Sequence, residues 1–150
     1  MAKIVLASGS PRRLELLRQI GLEPRVAVSR GEEEKNDVTP EQLVRTNALN
    51  KGREVRERLG DKVPILAADT VVALEGEILG KPRDREEAAA MLRKLSGRRH
   101  QVLTGVALFY KGQVRTHVEI TEVEFASLTE KDIARYIATG EPMDKAGAYG

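Results

Sequence analysis

Two short segments of the 150-residue chain combine residue types suited to holding a polyphosphate and activating water against it. The first is Ser8-Gly9-Ser10-Pro11-Arg12-Arg13. It lies between an apolar run and a helix start, where free backbone amides and the helix dipole favour an anion. Ser8 and Ser10 add hydroxyl donors, and Arg12 and Arg13 add forked cations that match phosphate oxygens. Read locally, the same residues also fit a capped helix with solvated arginines. The second is Ala67-Ala68-Asp69-Thr70-Val71-Val72, where a carboxylate breaks an apolar run. A buried carboxylate needs a partner or a metal. Asp69 at a strand end, beside the Thr70 hydroxyl, could hold Mg²⁺ or take a proton from water. The alternative, a turn with Asp69 as its cap, fits poorly because Val71 and Val72 prolong the apolar run.

Weaker candidates surround these two. Lys81 sits in Gly80-Lys81-Pro82, and Lys51 lies on a helix face near Asn47 and Asn50. Each in isolation reads as a solvated lysine. Glu32-Glu33-Glu34 reads as a solvated acidic loop, or as a source of a carboxylate sharing a divalent ion with Asp69. His100, close to Thr104-Gly105, reads as structural, and His117 has no evident partner.

Composition narrows the chemistry. The chain has no cysteine and two histidines, which removes thiolate nucleophiles, disulfides and histidine-rich metal sites. No Gly-x-Ser-x-Gly elbow is present. Water attack on a phosphoanhydride, assisted by a divalent metal, is therefore favoured over a covalent enzyme intermediate. Aromatic residues make up 3% and the formal net charge is +2, so a nucleic-acid reader built on stacking or a strong basic field is disfavoured. No run approaches the ~18 apolar residues of a membrane span, and the N-terminal apolar run is too short for a secretory signal. A cytoplasmic protein is the expectation.

Elements that could position these groups alternate along the chain. Ile4–Ala7 reads as a buried strand. A helix opens at Ser10-Pro11, with Leu14, Leu17 and Ile20 inward, and ends at Gly21. Arg25–Ser29 reads as a strand and Gly31–Val38 as a loop. Thr39-Pro40-Glu41-Gln42 has capping-box spacing and opens a helix with Val44, Ala48, Gly52, Val55 and Leu59 on one face, up to Gly60. Val63–Leu74 is a strand region interrupted at Asp69-Thr70, followed by a hairpin turn candidate at Glu75-Gly76-Glu77. Asp84 starts a helix with Ala88, Met91, Leu92 and Leu95 inward. Val102–Tyr110 and Val114–Phe125 are strands joined at Lys111-Gly112. Thr129–Ala138 is the last helix, stopped by Gly140 and Pro142. Asp144–Gly150 shows no closing element and reads as a flexible tail or as a domain stopping before its last strands. The expected fold is α/β, a mixed twisted sheet flanked by helices, in a single domain over residues 1–150.

Four ordered motifs resemble those of the Maf family: Ser8-Gly9-Ser10-Pro11-Arg12-Arg13, Ala68-Asp69-Thr70-Val71-Val72, Gly80-Lys81-Pro82, and Ser96-Gly97-Arg98-Arg99-His100 with Thr104-Gly105-Val106. The resemblance implies a house-cleaning nucleoside triphosphate pyrophosphatase with a fold like that of the inosine triphosphate pyrophosphatases. It implies a divalent cation, Mg²⁺ or Mn²⁺, a cytoplasmic location and a homodimer. It implies Asp69 as general base, with Glu33 and Asp69 toward the metal, and Ser8, Arg13, Lys51 and Lys81 toward the phosphates. Arg12 and Thr70 match specificity positions, and an arginine at position 12 resembles the branch acting on dTTP and UTP. Family members continue past Tyr149-Gly150 into an Ile-Gln-Gly segment and further strands, so the C-terminal strands are expected to be missing. A catalytically weak nucleotide-binding regulator of cell division is the alternative.

Overall fold

A computed structural model of the protein describes residues 3–28, 39–140 and 145–149. Its elements are β1 (Lys3–Ala7), α1 (Pro11–Gln19), β2 (Glu23–Val26), α2 (Pro40–Leu59), β3 (Ile65–Leu74), β4 (Glu77–Leu79), α3 (Arg85–Leu95), β5 (Arg99–Tyr110), β6 (Gln113–Glu124), α4 (Glu130–Ala138) and a 3₁₀ turn, Ala146–Ala148. The strands are hydrogen-bonded in the order β2-β1-β3-β5-β6, with β4 on β3. β1 runs parallel to both β2 and β3, and β4 runs antiparallel to β3. This is the expected mixed α/β architecture. Among the described residues no helix is long and apolar enough to cross a membrane.

The chain divides into two compact units. The first comprises Met1–Asp69 and Thr104–Glu119, the second Thr70–Leu103 and Ile120–Gly150.

In the first unit, β1 and β3 carry Val5, Ala7, Ile65 and Ala67 into a core with Ala48 and Val55 of α2 and Ala107 and Phe109 of β5. Two glycines set how closely α2 lies on this core. A Cβ at Gly52 would run into the Phe109 ring, and one at Gly105 into the Val44 backbone. Thr39 caps α2: its Oγ1 accepts from Gln42 N at 3.2 Å, while Gln42 Oε1 accepts from Thr39 N at 3.4 Å, the capping box read from the sequence. Val44, Ala48, Gly52 and Val55 are buried as their spacing requires, whereas Leu59, at the last turn, is 38% exposed. On α1, Leu17 is buried but Ile20 is exposed. Ile20 is the C-cap of a nine-residue helix, so it has left the helical path that would have turned it inward.

In the second unit, α3 and α4 pack Ala88, Met91 and Leu92 against Ile133 and Ile137, with Ala148 buried beside them. Asp84 and Thr129 cap the two helices. The Glu75-Gly76 turn has φ of 50° and 83°, the left-handed pair that a two-residue hairpin demands. Lys111-Gly112, in the first unit, repeats it with 48° and 78°.

Four sequence expectations change. The strand expected from Val63 starts at Ile65, after Pro64, which has no N–H to give to a ladder. It then runs through Asp69 and Thr70 without a break, so Asp69 is a mid-strand residue and not a strand end. β2 lies at Glu23–Val26, earlier than expected, because its register on β1 begins at Lys3 opposite Glu23. β5 starts at Arg99 rather than Val102. Phe125 N donates to Arg98 O at 3.0 Å, and Arg99 pairs with Glu124 at 3.5 Å, so the ladder with β6 reaches back and takes His100 into the strand. Finally, Lys145–Tyr149 is not a free tail. Gly147 N donates to Gly80 O at 3.1 Å, and a Cβ at Gly147 would meet Val72. The Gly31–Val38 loop, Glu33 included, lies outside the described residues.

His100 is buried, and its Nε2 meets Tyr149 Oη at 2.5 Å. Phe125 and Tyr149 stand edge-on to its ring. Among the described residues its Nδ1 has no partner. Burial holds the imidazole below its ordinary pKa and pushes the Tyr149 phenol up. His117 is exposed and lies 3.0 Å from Glu119 Oε2.

Candidate active site

Three stretches of the first unit meet: the loop from β1 into α1, the middle of α2, and the first half of β3, up to Asp69. Ser10 is the N-cap of α1, extended at φ −75° and ψ 116°, with Pro11 at the first helical position. Its Oγ accepts from Arg13 N at 3.4 Å. Ser8, buried at the end of the β1 run, accepts through Oγ from Ser10 N at 3.2 Å and from Arg13 Nη1 at 3.0 Å. The same Nη1 donates to Ala68 O at 3.2 Å. Arg13 thus ties the start of α1 to β3, one residue before Asp69.

Asp69 is 6% exposed. A carboxylate buried that far must be matched by donors, and α2 supplies them. Lys51 Nζ donates to Asp69 Oδ1 at 3.1 Å. Asn47 Nδ2 donates to Asp69 Oδ2 at 3.0 Å. Lys51 Nζ also lies 3.5 Å from Ala68 O. Residues four apart on a helix lie one above the other, so Asn47 and Lys51 present one amide and one ammonium to the two carboxylate oxygens. The close packing allowed by Gly52 and Gly105 brings that helix face to β3.

Each carboxylate oxygen accepts at two lone pairs. Asn47 and Lys51 occupy one on each oxygen, which leaves acceptor capacity on a fixed carboxylate beside the start of a helix. That arrangement can accept a proton from water while cations and backbone donors hold an anion.

Of the residues singled out in the sequence, Ser8, Arg13, Lys51 and Asp69 come together here. Arg12 is exposed in the first turn of α1. Thr70, half-buried in β3, and Lys81, exposed after β4, belong to the second unit. Glu33 lies outside the described residues. Among the described residues no three His, Cys, Asp or Glu side chains gather into a metal cage. Asn47 was not singled out for a role. Its signal was a polar residue, 2% exposed, in a helix stripe otherwise made of Val44, Ala48 and Val55, four residues before Lys51.

Comparison with known proteins decides the family. The family model described as Maf-like protein matches residues 3–150. The chain belongs to the Maf family. A Maf relative from Escherichia coli O157:H7, named dTTP/UTP pyrophosphatase, is 48% identical over all of this chain and 77% of its own length. Another of that name, from Symbiobacterium thermophilum, is 51% identical over the same shares. Among solved structures, a HAM1 protein from Coxiella burnetii aligns with a TM-score of 0.60 at 22% identity, over 83% of this chain and 73% of that one. The Ham1 protein of Staphylococcus aureus gives 0.58 at 18% identity, over 81% and 71%. At those identities the likeness is one of fold, and it agrees with the fold expected from the motifs.

Proposed function

We propose that this Maf protein hydrolyses dTTP, UTP and related modified pyrimidine nucleoside triphosphates to the monophosphate and pyrophosphate. One observation carries the reading. A buried mid-strand carboxylate, Asp69, has both oxygens held by donors from one helix, one residue from a carbonyl that binds the arginine of a phosphate-type loop. The names of relatives near half identity over the whole chain support the substrate class.

The chemistry is a single displacement. A water oxygen attacks the α-phosphorus, the bond from that phosphorus to the bridging oxygen breaks, and the bridging oxygen departs with pyrophosphate. Asp69 accepts the proton that the water loses. The α1 N-terminus and Arg12 bind and orient the triphosphate, while Arg13 holds the loop against β3. Lys51 and Asn47 hold the Asp69 carboxylate in place and aimed.

A divalent cation, Mg²⁺ or Mn²⁺, fits this donor set. Magnesium keeps several waters and takes one or two carboxylates plus substrate phosphates, so it needs no protein cage. Asp69, with open lone pairs, and Glu33 would hold it, and bound there it would offset phosphate charge. A cytoplasmic location, a homodimer and the absence of a nucleic-acid partner complete the proposal. The test is pyrophosphate release from dTTP and UTP by the parent chain with Mg²⁺ or Mn²⁺. Tight nucleotide binding without release would support instead a regulator that has lost turnover.

A further inference from the structure

We propose that Asn47 is a positioning residue for this reaction, setting the plane of the Asp69 carboxylate; the inference rests on the pyrophosphatase reading above. Asn47 is 2% exposed on the inner face of α2. Its Nδ2 donates to Asp69 Oδ2 at 3.0 Å, while Lys51 Nζ donates to Oδ1 at 3.1 Å.

The two donors differ in what they fix. An ammonium is a compact charge with three rotating donors, so Lys51 anchors one oxygen and leaves the carboxylate able to turn about its last torsion. That torsion is intrinsically broad and two-fold. A planar amide donates along a defined direction. With Asn47 on the second oxygen, two points one helical turn apart fix the plane, and the lone pairs left on both oxygens then point in set directions. A misplacement of about 1 Å in a reacting group costs on the order of 100-fold in rate, so a base that turns freely is a poor base.

The setting of Asn47 fits this role. Its helix neighbours Val44, Ala48 and Val55 are fully buried, and an apolar residue is what such a stripe ordinarily holds. Burying an amide there is unfavourable unless it is bonded.

The experiment compares parent, Asn47→Leu, Asn47→Asp and the swap Asn47→Asp/Asp69→Asn, with folding checked by circular dichroism and thermal unfolding. Asn47→Leu keeps size and removes the donor. We expect kcat for pyrophosphate release to fall about 10- to 100-fold, as for other partners that orient a functional group, with KM for dTTP moving less than about threefold. Asn47→Asp puts an acceptor against an acceptor and loses at least as much. The swap restores the hydrogen bond, so thermal stability recovers relative to Asn47→Asp, yet kcat stays at the level of Asp69→Asn alone. A folded Asn47→Leu or Asn47→Asp variant with kcat within about twofold of the parent overturns the proposal, as does a swap that restores turnover. The ¹⁵N-labelled side-chain amide of Asn47 gives a readout without substrate, and its signals shift in Asp69→Ala. If they do not, the contact is absent and the proposal fails. If they do and the parent chain releases no pyrophosphate, the pyrophosphatase reading fails and takes the catalytic role of Asn47 with it.

Discussion

Replacing Lys51 by Met retains most of the side-chain volume and removes the charge that faces Asp69. The parent pair lies at 3.1 Å, with 18% of the lysine side chain and 8% of the aspartate side chain exposed. At an effective dielectric near 20, two unit charges at that separation attract by about 5 kcal/mol, before the loss of hydration each suffers. Removing one partner of a buried pair leaves the other stranded, at about 3–5 kcal/mol. The open edge of Lys51 places this case near about 3 kcal/mol, a fall in Tm of roughly 6–12 °C for a chain of this size. The assay is thermal and urea unfolding of parent, Lys51→Met, Asp69→Asn and the double variant, without added divalent cation. The double variant strands no charge, so its loss should fall short of the sum of the singles by about 2 kcal/mol or more. Additive losses, or a Lys51→Met chain as stable as the parent, would refute the view that α2 holds the Asp69 carboxylate through this ion pair.

Other perturbations have equally definite outcomes. Gly105→Ala pushes a methyl group into the Val44 backbone, which cannot turn aside as a side chain can; we expect a loss of about 1–3 kcal/mol in urea unfolding, together with reduced turnover because α2 carries Asn47 and Lys51. His100, held by burial below its ordinary value of 6.5, gives a pH dependence with a fixed sign: below that value the unfolded chain binds the proton more readily than the folded one, so stability falls as pH falls. Thermal unfolding between pH 7 and pH 5 should show a shallower decline for His100→Gln than for the parent, and equal slopes would mean the buried ring does not titrate against the fold.

The order of elements was legible because caps and turns are local. Ser10-Pro11 and Thr39-Pro40-Glu41-Gln42 mark their helix starts through contacts within four residues, and Lys111-Gly112 marks its turn by residue type, through the positive φ that both residues adopt. What misled was a long-range partner. Asp69 read as the end of a strand because a carboxylate breaks an apolar pattern. Its actual compensation comes from Asn47 and Lys51, some twenty residues away in sequence, and with the charge matched the strand runs on. The start of β5 and the seating of Tyr149 against His100 depend likewise on segments distant in sequence. Ser8, Arg13 and Asp69 stood out by motif and residue type, whereas Lys51 read in isolation as a solvated lysine and was singled out only through the family resemblance, and Asn47 gains its meaning only when the helix face and the strand are seen together.

Whether Asp69 takes the proton from water in a reaction that releases pyrophosphate is tested most directly by pyrophosphate formation from dTTP and UTP by the parent chain and by Asp69→Asn, with Mg²⁺ or Mn²⁺ present. Asn keeps the size of Asp69 but cannot accept that proton, and general-base removal costs about 100- to 10,000-fold. The expected result is release by the parent and a loss in that range for a variant that remains folded. Equal turnover by the two, or none by the parent, would contradict it.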